Sequence, residues 1–223
     1  MSIVHDLTEA HREEWERVVL HPFVLELGAG TLPRRTFAAY MAQDYLFVDA
    51  LARTVAYGIA KAPSAAEARP LAAFLQTLLG AEDDLFGRVF DELGMPPPAE
   101  ARPDPLPVTA RFGRFVEGVG RRGTFEEIAT ALYVTEGTYA DWASRLVAAR
   151  ARPDDALYRS WIDIHADPAL AELVAHLGGW IDAAPAGREP AMASVFGRAL
   201  RHEAAFWNAF VPSRAKMRRD HRG

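Results

Sequence analysis

The chain contains no cysteine. That excludes disulfides, thiolate nucleophiles and cysteine-ligated metals. Basic charge is in deficit: 25 Lys and Arg stand against 30 Asp and Glu, a net charge of -5. Lysine is nearly absent, with only Lys61 and Lys216. No basic face is evident, so a nucleic-acid partner is not expected. Apolar runs are all interrupted by charge well short of a membrane span. The opening "MSIVHDLTEAHREEW" is polar and acidic, unlike a secretory signal, and a soluble, cytoplasmic protein is expected. No GxGxxG, P-loop or GxSxG occurs, and neither does HExxH or a duplicated ExxH. No cofactor and no metal is therefore expected. Strand signals are missing as well: no run alternates with period two, and no Asn-Gly turn appears.

What remains is helical. The chain has 223 residues, 50% of them hydrophobic, enough for one good-sized core. Thr8 is a candidate N-cap for a first helix over "LTEAHREEWERVVLH". Pro33 fits the first turn of a long helix reaching Ala62, in which Phe37, Tyr40, Met41, Asp44, Tyr45, Val48, Leu51 and Val55 recur at helical spacing. Further helices are expected over about 71–93, 109–121, 125–150, 155–177 and 190–211, with Thr124 and Asp154 as caps. The expectation is an all-α fold: a single compact bundle of about seven helices over 1–211. The basic stretch at 212–223 has no apolar face and reads as a disordered tail.

Three acids break apolar stripes. Asp44 shares a helix face with Tyr40, Phe47, Val48 and Leu51. It is either paired with an arginine or aimed at a ligand. Glu136 and Tyr139 lie one turn apart and point the same way. Glu136 is either solvated at the edge of its stripe or buried, with a raised pKa suited to proton transfer. Glu203 falls among Leu200, Phe206, Trp207 and Phe210, as a salt-bridge partner or as a second inward acid beside aromatic rings. His165 reads first as a packing histidine, and His202 is expected to face outward. The acid–His pairs Asp163/His165, Glu172/His176 and His202/Glu203 are scattered and do not make a metal signature.

Together these residues resemble the TenA / thiaminase II family. The segment "HPFVLELGAGTLPRRTFAAYMAQDYLFVDALARTVAYGIAKAP" carries the likeness, and "LLGAEDDLFGRVFDELGM", "ALYVTEGTYADWASRL", "LYRSWIDIHADPALAELV" and "RHEAAFWNAF" follow in order. The resemblance implies a haem-oxygenase-like bundle without haem, commonly a homotetramer, acting in thiamin salvage. Members hydrolyse thiamin or its degraded pyrimidines and release hydroxymethylpyrimidine. It implies that Asp44 binds an aminopyrimidine, that Tyr139 lines the pocket, and that Glu203 is an acid/base. The common subclass has a cysteine nucleophile near the position of Thr135. Here Glu136 follows that position, as in the cysteine-free glutamate subclass, and is the second expected catalytic residue. Phe47, Phe112 and His165 stand where the cysteine subclass has tyrosines, and Trp207 and Phe206 are expected against the ring. Two rivals stay open: a non-catalytic binder of a small aromatic, and a metal-dependent oxidase on the same bundle.

Overall fold

A computed structural model describes residues 2–96 and 104–211, without the side chains of 81–83. The expected tail at 212–223 lies outside these. Among the described residues there are helices and loops and no strands. In chain order they are α1 (Ile3–Ala10), α2 (Arg12–Val19), α3 (Pro22–Gly28), α4 (Arg34–Lys61), α5 (Ala65–Thr77), a π-helical turn (Leu78–Glu82), α6 (Asp83–Glu92), α7 (Pro107–Arg122), α8 (Phe125–Ala148), α9 (Ala156–His165), α10 (Pro168–Asp182) and α11 (Glu189–Asn208).

Three expected helices are each broken. The first divides at His11, and Thr8 is not its cap: Ser2 takes that role by accepting from the His5 amide. Thr8 instead donates to the Val4 carbonyl within α1. The expected 71–93 helix starts earlier, at Ala65, because Ser64 caps it and Pro70 is accommodated inside. It then passes through the π turn into α6. The expected 155–177 helix divides because Asp167 accepts from the Ala169 amide and Pro168 starts a new helix. The α9 cap is Asp155, one residue after the expected Asp154. Thr124 caps α8 as expected, in a reciprocal capping box with Glu127.

Helix α4 is the central element, packed against α5, α7 and α8. It holds α7 at both ends. Gln43 Oε1 accepts from the Leu106 amide and the Thr109 hydroxyl, each at 2.7 Å. At the other end Lys61 Nζ donates to the carbonyls of Gly120 and Gly123, each at 2.7 Å. At the Lys61 end the two helices come close enough to need Gly120. A Cβ there would lie 2.9 Å from the Tyr57 ring and 3.3 Å from Thr54 Cα. On the opposite side α2 is tied to α8. Trp15 Nε1 donates to Asp141 at 2.7 Å, and Arg145 bridges Asp141 and Glu16 at 2.6 and 2.9 Å. No helix among the described residues is long and apolar enough to cross a membrane.

Candidate active site

Asp44, Glu136 and Glu203 come from α4, α8 and α11, and all three are buried, at 5%, 7% and 1% exposure. They line one cavity of about 30 Å3, together with Phe47, Val48, Leu51, Thr135, Tyr139 and His165. Helical spacing explains the arrangement. Leu132 and Tyr139 flank Glu136 at one turn, and Leu200, Phe206 and Trp207 do the same for Glu203. Burying each apolar face therefore carries its acid inward. The ion-pair and solvated-edge alternatives are corrected: among the described residues none of the three acids forms an ion pair, and no Lys or Arg lines the cavity.

Three carboxyls without a cation hold their protons tightly. Burial pushes Asp44 up to about 8; the Tyr40 hydroxyl opposes this and Glu136 adds to it. Burial pushes Glu136 up to about 7, opposed by the Thr135 hydroxyl. Glu203 is raised well above the usual carboxylate range, by burial and then by Glu136 and Asp44. Its Oε2 is buried without a hydrogen-bond partner among the described residues. Burial pulls His165 down to about 4, so the ring is neutral at pH 7. Its Nδ1 lies 2.8 Å from the Trp161 carbonyl, which can only accept, so Nδ1 carries the hydrogen and Nε2 is an acceptor.

Two hydroxyl relays support the acids. Thr135 Oγ1 lies 2.9 Å from Glu136 Oε1 and 3.2 Å from the Leu132 carbonyl. The Tyr139 and Tyr40 hydroxyls are 3.0 Å apart, and Tyr40 hydrogen-bonds Asp44. Tyr40 is fully buried and is not among the site residues expected from the sequence. The signal was present: it sits one turn before Asp44 on the same face.

Phe47, Tyr139 and His165 line the cavity, whereas Phe112 and Trp207 stand one layer behind it. Phe112 stacks on Phe47 at 4.3 Å, and Trp207 stacks on Tyr40 at 5.1 Å and on Tyr139 at 5.4 Å. Those rings support the walls and do not form them, because Phe47 and Tyr139 come between. His202 does not face fully outward. Phe112 and Phe115 lie within 5.4 and 4.8 Å of its half-buried ring. Among the described residues no three His, Asp or Glu form a group that could hold a metal ion.

A curated aminopyrimidine aminohydrolase from Halalkalibacterium halodurans is 26% identical over 212 residues, covering 93% of this chain and 95% of its own. Another from Bacillus subtilis is 26% identical over 162 residues, with 73% and 68% covered. The solved TenA homologue of P. horikoshii OT3 superposes with a TM-score of 0.86 at 24% identity, covering 94% of this chain and 98% of its own. The sequence model of the TENA/THI-4/PQQC family matches residues 8–212, and the chain belongs to that family.

Proposed function

We propose that the protein is a cysteine-independent C–N hydrolase of thiamin-derived pyrimidines. It takes aminopyrimidine or formylaminopyrimidine and releases hydroxymethylpyrimidine. One observation carries the reading: three protonatable carboxyls from three helices face one cavity that no Lys or Arg lines. Such a cavity favours a ligand rich in N–H donors or carrying positive charge, and an aminopyrimidine with an aminomethyl arm is both. Two relatives described as aminopyrimidine aminohydrolases support the same substrate class.

In this mechanism Asp44 takes the edge formed by a ring nitrogen and its neighbouring amino group. Phe47 and Tyr139 flank the flat ring. At about 30 Å3 the cavity widens by side-chain rotation to receive it. Glu136, whose pKa of about 7 allows it to ionise near neutral pH, draws a proton from water, and the resulting hydroxide attacks the carbon bearing the exocyclic nitrogen. Glu203, which keeps its proton, delivers it to the departing amine. The amine consumes one water and gives hydroxymethylpyrimidine and ammonia; formylaminopyrimidine consumes a first water to release formate and a second to release ammonia. A cationic group on the substrate would also favour the ionised form of Glu136 that acts as base.

The chain is further read as a cytoplasmic homo-oligomer, a dimer or tetramer. Leu20, Leu25 and Val147 are apolar yet about half exposed, which supports burial against another copy. Light scattering tests that part. The hydrolase reading is tested by incubating the purified protein with each pyrimidine and assaying ammonia, formate and hydroxymethylpyrimidine. Tight binding without any product would leave a binding protein in its place.

A further inference from the structure

A larger space opens beyond Glu136. It is a groove of about 580 Å3 between α5 and α10. Ala66, Ala73 and Phe74 line one wall and Leu170 and Leu173 the other. Glu136 and His165 line this groove as well as the acid cavity, so the two spaces meet at them. Their burial makes them the inner end of the groove. The acid cavity has room for about one water, whereas the groove has the volume of a drug-sized binding site.

The groove is lined mostly by apolar side chains, and its charged residues, Arg69, Asp167 and Glu172, are all at exposed positions. Asp167 already caps α10 through the Ala169 amide at 2.8 Å. It keeps its charge there, and Arg69 from α5, Glu172 from α10 and His176 from α10 are the other ionisable side chains at the exposed end of the lining. None of these three has a hydrogen bond or ion pair with another described residue. A groove of this kind selects a neutral, hydrocarbon-bearing group over an ion. On an amine nitrogen, the neutral substituent that water can remove is an acyl group.

Resting on the hydrolase reading above, we infer that the α5–α10 groove holds an N-acyl substituent longer than formyl, and that the protein removes it at Glu136, where groove and acid cavity meet. The ring lies towards Asp44 and the acyl chain towards Phe74 and Leu173. Water activated by Glu136 adds to the acyl carbonyl, and the C–N bond breaks. The water oxygen ends in the carboxylic acid. The water hydrogens are shared between the acid and the amine nitrogen, leaving free aminopyrimidine.

The test compares kcat/KM of the full chain for N-formyl, N-butyryl and N-hexanoyl aminopyrimidine. The longer acyl groups should be removed at least as well as formyl. Ala73→Trp and Ala169→Trp fill the groove from opposite walls at exposed positions. Each should lower the hexanoyl-to-formyl ratio by about tenfold or more. A wild-type rate that collapses beyond formyl overturns the inference, as does a ratio unmoved in either folded variant. Thr77→Trp, also on the α5 wall, replaces Ala73→Trp if that variant does not fold. Release of ammonia or formate without hexanoate defeats the groove assignment alone. Release of no product from any substrate defeats the hydrolase reading along with it.

Discussion

The hydroxyls of Tyr40 and Tyr139, on α4 and α8, lie 3.0 Å apart in the interior of the bundle. Tyr40 also hydrogen-bonds Asp44, and that bond favours the charged carboxylate. With Tyr40 donating to Asp44, Tyr139 must donate to Tyr40, since each phenol has one hydrogen. The Tyr139 oxygen is then left to accept. Phe47 and His165, the other ring-bearing side chains of the cavity, have no hydroxyl to offer in its place.

Tyr40→Phe removes the middle of that relay. Asp44 loses the donor that offsets its burial, so its carboxyl moves higher still and grips a cationic pyrimidine less well. A buried hydrogen bond to a charged group is worth about 1.5 kcal/mol or more. KM for aminopyrimidine should rise about tenfold, with kcat changed less. Steady-state kinetics give both, and an unaltered KM would show that Tyr40 merely packs.

Glu136 as general base must be ionised to act. Its pKa of about 7 predicts that kcat/KM rises with pH through that region. Glu203 as general acid supplies the fall at higher pH. Glu136→Gln should lower kcat by about 10²–10⁴ and abolish the rising limb. Glu203→Gln should abolish the falling limb. Full activity in either variant removes that residue from its role.

Stability should fall as pH rises from 6 to 8. The folded pKa values of Asp44, about 8, and Glu136, about 7, exceed the unfolded ones, and Glu203 is raised too. Groups shifted this way stabilise the fold fully below the unfolded pKa of about 4, and the contribution is lost as pH rises through the folded pKa. Glu203→Gln cannot ionise, so its melting temperature should drop less between pH 6 and 8 than that of the wild type. Thermal melts at the two pH values decide it, and a wild-type melting temperature that climbs over this interval contradicts the assignment.

Lys61 anchors the carboxyl end of α7 through the Gly120 and Gly123 carbonyls. Lys61→Met leaves them without that donor and should destabilise by about 1–3 kcal/mol. Because Lys61 lies far along α4 from Asp44, kcat should be retained. Urea unfolding and a turnover assay measure the two effects separately, and unchanged unfolding would mean that water replaces the ammonium at no loss.

The helical class is legible in the chain, and so is the fact that three acids interrupt apolar stripes; that all three turn inward without an ion pair is not, because a paired or solvated acid has the same spacing. Asp44, Glu136 and Glu203 each break an apolar stripe, and in the fold each stripe takes its exception inward with it. Helix boundaries were less legible. Pro70 falls just before the expected helix start at 71 and is inside α5, while Asp167 and Pro168 fall within the expected 155–177 helix and divide α9 from α10. Local cap chemistry decided both cases against the longer-range periodicity. The layering of aromatic rings was not legible at all. Phe112 and Trp207 sit on the correct faces, yet depth in a core depends on which neighbouring ring comes between, and spacing along one helix is silent on that.

Thr135 has a single hydroxyl hydrogen and two acceptors within reach, a main-chain oxygen and a side-chain oxygen. When Glu136 is an anion, it claims that hydrogen. Once Glu136 is neutral, the hydrogen is free to swing to Leu132. The protonation of one carboxyl is thereby transcribed into the peptide chain of α8. The stretching frequency of the Leu132 carbonyl, isotope-labelled, becomes a gauge of where the proton sits, readable before any ligand is added.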